Sequence, residues 1–270
     1  MNEIKQQEIP RNTNLTKKQF DSMYPKIEEY SMLRANLSVC YDKHGYVVKN
    51  ENGTLEVLDH YIYTGGTHDI NVYHDKCHEM ELKYENMEPI VPNMVGFFML
   101  KPIKEGRPVA YMFISGYCII IVTDEVKKAI EGTSTKEFIF TPVWYNKGKN
   151  KNDIVISDDS DYWEVRVNQV ASTINIHRYN LVAYRQKPSI CMLYKGVYNK
   201  LIQSGADTST SSRFDGASWS MIISSKIANA IKHIDRIHLS PIVTYDQYYL
   251  DCININRKIP VGLGTNDVTS

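Results

Sequence analysis

Four residues near one another in the sequence, His68, His74, Cys77 and His78, are of the types that hold a transition metal. Imidazole and thiolate are the usual zinc donors, and a closed zinc site takes four of them at defined spacing. On a helix His74 and His78 would share a face, with Cys77 one position short of His78. Their spacing is not the defined spacing of a zinc site, and Asp69, Asp75 and Glu79 beside them are ordinary surface residues. The segment is therefore read as a polar strand edge or loop, and no metal or other cofactor is expected. Five cysteines (Cys40, Cys77, Cys118, Cys191, Cys252) and eight histidines would in principle allow Cys–His hydrolysis. Their coexistence carries no geometry, and Cys118 adjoins the apolar run Ile119 to Val122, as a small buried hydrophobe would. Gly65-Gly66 and Gly262-Leu263-Gly264 fit neither dinucleotide nor phosphate-loop spacing and read as turn glycines. No catalytic residue is assigned; the chain is expected to bind rather than to catalyse.

The sharpest local charge feature is Asp158-Asp159-Ser160-Asp161-Tyr162-Trp163-Glu164. Alternation on a strand would place Tyr162, Glu164 and Arg166 on one face and Trp163, Val165 and Val167 on the other. Acidic residues next to two large aromatics suit a protein contact, in which charge steers encounter and a ring supplies the anchor. Asp158, Asp159, Asp161, Tyr162 and Trp163 are thus the candidate partner-binding residues. The same segment could equally be a solvated loop leading into a strand. It lacks the spacing and glycine of a calcium-binding EF-hand loop.

The elements that would carry these residues include a short pattern that occurs twice. Residues 118–130 (CIIIVTDEVKKAI) return as 219–231 (WSMIISSKIANAI), and each copy is followed by a second apolar stretch containing proline, FIFTPV at 138–143 and IHLSPI at 237–242. Each copy reads as strand, helix, strand. Thr123 and Ser224 stand at the N-caps, and Val126, Ala129 and Ile130 match Ile227, Ala230 and Ile231 as apolar stripes. Upstream, Thr16 to Gln19 has the form of a capping box. Pro25 is placed to start a helix running to about Leu33. Strands are expected at Leu37 to Cys40 and Tyr46 to Val48 around a Lys43-His44-Gly45 turn. Further strands are expected near Leu55 to Tyr63 after an Asn50 to Gly53 turn, over Glu164 to Val167, and over Ile174 to Ile176. Tyr198 to Ile202 reads as a short helix, and Asp207 to Gly216 as a Ser/Thr-rich loop.

Lys plus Arg and Asp plus Glu are 31 each, so no general attraction to nucleic acid or an anionic membrane follows. The cysteines form no CxxC pair, which fits reduced thiols in a cytoplasm. The start of the chain lacks a signal-peptide apolar core, and the longest apolar runs fall short of a membrane span. These features predict a soluble, cytoplasmic protein. The 19 tyrosines against 7 phenylalanines suit a β-rich core with half-buried rings.

The order of these elements resembles the Immunity 11 family of bacterial polymorphic toxin systems. The similarity rests on Ile120 to Ile130 (apolar strand, hydroxyl cap and helix), on the Phe138 to Val143 strand, on Trp163 to Ile176, and on Ile222 to Ile242. It covers the chain from near residue 90 to near residue 245. Asn175 and Asn180 depart from it where the family tends to have an acidic residue and a serine. The resemblance implies an immunity protein that neutralises a cognate toxin domain encoded nearby, with no shared catalytic residues. The expected fold is α+β, with mixed sheets and a pseudo-duplicated strand–helix–strand unit in two sub-lobes. Residues 1–90 form an unmatched N-terminal region, 91–260 an immunity-like region containing the units 118–143 and 219–242, and 261–270 a tail. The rival classes are a Cys/His or metal-dependent hydrolase and an accessory protein of a phage or secretion system.

Overall fold

The computed structural model describes residues 22, 26–35, 38–39, 44–59, 67, 69–86, 88–103, 107–114, 117–149, 153–157, 159–167, 176–177, 191–210 and 220–245. The expected capping-box helix after Thr16, His68, Asp158 and the tail beyond Pro260 lie outside the described residues. The chain is α+β, with two sheets. The larger sheet has the order β2-β6-β7-β9-β8-β5-β3-β4, formed by β2 (Ser38–Val39), β3 (His44–Lys49), β4 (Leu55–Asp59), β5 (Met94–Met99), β6 (Val109–Ile114), β7 (Tyr117–Thr123), β8 (Phe138–Tyr145) and β9 (Tyr162–Val167). The smaller has the order β10-β11-β14-β1-β13-β12, formed by β1 (Lys26–Arg34), β10 (Ile176–His177), β11 (Cys191–Tyr194), β12 (Thr208–Thr210), β13 (Ser220–Ser224) and β14 (Leu239–Tyr245). Four helices accompany them among the described elements: α1 (Ile70–Glu85), α2 (Asp124–Glu131), α3 (Lys195–Ser204) and α4 (Ser225–Ile231).

Both segments of the sequence pattern fold as strand, helix, strand: β7-α2-β8 and β13-α4-β14. In neither do the two strands pair with each other, because an antiparallel strand lies between them. β9 fills that place in the larger sheet and β1 in the smaller. The matching continues outward. β6 and β12 flank β7 and β13 antiparallel, while β5 and β11 lie parallel to β8 and β14. β3 and β10 then follow antiparallel. Pro142 opposite Trp163 and Pro241 opposite Ser31 occupy corresponding places.

The stripes read from the sequence are buried alike: Val126, Ile130, Ile227 and Ile231 are at most 1% exposed, and Ala129 and Ala230 are half-buried. α2 and α4 pack in one cluster with Val109, Ile120, Val122 and Val165 of the larger sheet and Leu33, Met221 and Ile223 of the smaller. The two helices therefore share a core with the inner faces of both sheets. The outer face of the larger sheet (Tyr46, Phe97, Met112, Ile121, Val143) is covered by Cys77 and Met80 of α1. The outer face of the smaller (Tyr30, Met32, Ile222, Ile242) is covered by Leu201 of α3. Ile119 to Val122 are all buried, as expected of a strand covered on both faces. Gly96 lets β5 approach β8: a Cβ there would lie 2.2 Å from the Pro142 carbonyl oxygen.

Several local expectations are corrected. Residues 26–34, expected as a helix after Pro25, form β1. The segment holding His74, Cys77 and His78, expected as a strand edge or loop, is the 16-residue helix α1, whose N-cap Asp69 accepts from the N–H groups of Asn71 and Val72. His44 and Gly45, expected in a turn, begin β3, and Thr208–Thr210, expected in a loop, form β12. Thr123 is at the N-cap of α2 as expected, yet its side chain makes no capping bond. Ser224 does cap α4, accepting from Ile227 N–H. The Asn50 to Gly53 turn is as expected: Asn50 Oδ1 accepts from the N–H groups of Asn52 and Thr54, and Gly53 has φ +81°.

Candidate functional site

The acidic segment before β9 is held by the end of β8. Asn146 is buried, and its Oδ1 accepts from Gly148 N–H at 2.8 Å and Val155 N–H at 3.0 Å. Lys147 N–H donates to the Val155 carbonyl at 2.8 Å, and Lys147 Nζ reaches Ser157 Oγ at 3.0 Å and Asp161 Oδ1 at 2.8 Å. Ile156 turns inward against the cluster of Val47, Phe98 and Trp144. Its neighbours Ile154 and Val155 point out, each 46% exposed. Asp153 and Asp159 beside them are exposed as well. The result is a loop fixed on its inner side by five hydrogen bonds or ion pairs and one apolar anchor, with two β-branched side chains and two carboxylates outside.

The candidate residues divide when placed on this loop. Asp158 lies outside the described residues, and Asp159 is exposed. Asp161 is turned inward to Lys147. Tyr162 packs against the α1 side of the larger sheet, tilted against Tyr145 with ring centroids 6.2 Å apart. Burial there pushes its phenol pKa up. Trp163 lies on the opposite face, as alternation requires. Its Nε1 donates to Asp124 Oδ1 at 3.2 Å, and Lys127 Nζ sits 4.3 Å from its ring centroid. Tyr162 and Trp163 are thus spent largely on the protein's own packing, and within this segment the large apolar side chains offered to solvent are Ile154 and Val155; Ile70, Val72 and Leu82 on α1 and Ile202 on α3 are exposed elsewhere. Ile154 and Val155 share no periodic pattern with their neighbours, so only burial could single them out.

Glu164, next along β9, has no exposed surface. Tyr84 of α1 donates its hydroxyl to Oε1, and Arg166 Nε lies 3.4 Å from Oε2, within ion-pair range but without hydrogen-bond alignment. The Arg166 guanidinium covers the Tyr84 ring at 4.9 Å and donates through Nη2 to Thr141 Oγ1 at 3.2 Å. Burial drives the Glu164 carboxyl above its ordinary range; Arg166, Tyr84 and Thr141 oppose the shift without cancelling it. Glu164 itself is closed to solvent, and the cluster fastens α1 to the sheet.

On α1, His74 and His78 are exposed while Cys77 faces the core. Burial raises the Cys77 thiol pKa despite an opposing hydrogen bond with Tyr73, which keeps it a poor nucleophile and ligand. Among the described residues no three His, Cys, Asp or Glu side chains are grouped to hold a metal. The sequence signal for this helix was present in Tyr73, Cys77, Met80 and Tyr84, spaced four, three and four apart and all packed on the core side.

A separate cleft of about 160 Å³ lies where β6 begins beside the chain entering β14. It is lined by Arg107, Pro108, Val109, Arg236 and His238. Arg236 has φ +60° and places Nε 3.4 Å from Asp235 Oδ2. Nothing in the sequence spacing brings these residues together. No helix among the described residues is long and apolar enough to cross a membrane. No protein-family model, curated protein or solved structure matches the chain.

Proposed function

We propose that the chain is a cytoplasmic immunity protein that binds a cognate bacterial toxin domain and blocks its active site or the approach of its substrate. The family resemblance motivates the reading. The observation that carries it is the described segment 153–157 and 159–161, where Ile154 and Val155 stand out with Asp153 and Asp159 exposed as well, on a base pinned through Asn146, Lys147 and Ile156. A contact loop that is ordered before binding loses little entropy on docking. Apolar side chains supply the buried centre of such an interface, and carboxylates at its rim steer a basic partner. Inhibition of this kind needs no chemistry from the immunity protein itself.

The test is co-expression with the toxin encoded beside this gene, together with a measured affinity. Ile154→Ser, Val155→Ser and Asp159→Asn combined should weaken binding by about 100-fold, equivalent to about 2.7 kcal/mol. The urea midpoint should hardly change, because all three side chains are exposed. Unchanged affinity would remove the loop from the interface. Failure of the unmodified protein to bind or protect would remove the immunity role.

A further inference from the structure

The two strand–helix–strand units meet their neighbours at junctions of matching register but opposite charge. At one junction the protein supplies its own carboxylates. Glu137 accepts from Asp207 N–H at 3.1 Å and from Thr208 N–H at 3.0 Å. Asp207 accepts from Ser224 Oγ at 2.7 Å, Thr135 Oγ1 at 3.0 Å and Lys226 Nζ at 3.1 Å. Ser224 N–H donates to the Asp207 carbonyl. At the other junction Thr123 N–H donates to the Pro108 carbonyl in the same way, and Val109 pairs with Val122 as Thr208 pairs with Ile223. Pro108 thus stands where Asp207 stands. Counted back equally from Pro142 and Pro241, Arg236 stands where Glu137 stands. Neither position carries an acid here; two arginines and a histidine line the space, and the carboxylate beside Arg236 is that of its chain neighbour Asp235, 3.4 Å from Nε. The hydroxyl of Thr123, counterpart of the one Ser224 gives to Asp207, is buried with no hydrogen-bond partner.

We propose that the cleft of Arg107, Arg236 and His238 binds a small oxyanion, a phosphate or carboxylate group, which brings to this junction the negative charge that Glu137 and Asp207 bring to the other. Guanidinium groups present planar forks of donors matched to both oxyanions. The volume of about 160 Å³ is below the range of about 300–1,000 Å³ typical for whole small-molecule ligands, and suits a single anionic group. The site is independent of the partner-binding loop, so neither reading depends on the other.

The experiment titrates the full chain with inorganic phosphate, with acetate, and with chloride at matched ionic strength, following calorimetric binding and melting temperature. Saturable binding of phosphate beyond the chloride control is expected. Acetate acting equally would mark a carboxylate source, and phosphate acting alone a phosphate source. Arg107→Gln should weaken the interaction about tenfold, the loss of one charge-assisted contact. Arg236→Glu replaces a cation of the cleft by a carboxylate, so it should abolish the phosphate response. Should either variant fold poorly by circular dichroism, the exposed His238→Ala replaces it, with weakened phosphate binding expected. A response no greater than that of chloride, or unchanged by either well-folded variant, overturns the proposal.

Discussion

A carboxyl with no exposed surface, as at Glu164, makes a testable demand on pH. Its folded-state pKa is raised by burial, so the folded protein holds the proton more tightly than the unfolded chain does. That contribution to stability is fully present below the unfolded pKa and is lost as pH rises through the folded one. Glu164→Gln does not titrate and can still accept from Tyr84. The stability of the wild type relative to this variant should therefore fall as pH rises above the ordinary carboxylate range, read from paired urea midpoints. Parallel curves, or wild type gaining on the variant, would contradict the assignment. The alternation of β9 could be read from the sequence, and it correctly put Glu164 and Arg166 on one face. That this face is buried could not, because the cover is α1 and its stripe of Tyr73, Cys77, Met80 and Tyr84 is diluted by charged and exposed residues. The same limit applies to Asp161, which looks like its acidic neighbours in sequence and differs only in having Lys147 within 2.8 Å.

Among elements, the two helices that follow β7 and β13 look alike in sequence and are held differently at their N-termini. Ser224 caps α4 and also bonds Asp207, whereas the Thr123 hydroxyl does neither. Ser224→Ala should cost about 1–2 kcal/mol. Thr123→Val, which keeps the shape and removes an unsatisfied group, should be neutral or slightly stabilising. Chemical denaturation of the two variants checks this; equal losses would mean that Thr123 makes a bond after all. The misread element is β1, and the reason is geometric. Its register shifts between Ile27 and Ser31, so Ile27 packs in one cluster with Tyr30 and Met32. A bulge of this kind sets apolar residues three apart, which is also helical spacing, and Pro25 followed by Glu28 and Glu29 completes the imitation of a helix start. The β7-α2-β8 and β13-α4-β14 units were readable because their strands are uninterrupted and their helices carry one clean stripe.

For the whole molecule the decisive feature is where β1 lies. The strand between β7 and β8 is β9, which follows them in the chain, whereas the strand between β13 and β14 is β1, from near the other end. β13 and β14 have no pairing with each other, so removing residues 26–35 should abolish cooperative unfolding of the smaller sheet. Regrafting the same residues behind β14, through a linker as long as the 146–161 connection, should restore it. Urea transitions followed by circular dichroism test both, and a deletion that unfolds like the wild type would be the contrary result. No sequence pattern could have announced this arrangement, since pairing across such a separation leaves no periodic trace. It also sets a timetable for synthesis. On the ribosome β1 emerges before both of its partners, with Ile27, Tyr30, Met32 and Leu33 apolar. Its partners are about 200 residues away, which at ordinary translation rates is a wait of about 10–40 seconds. Over that interval residues 26–34 have neither of the strands they pair with, and their apolar side chains stay uncovered.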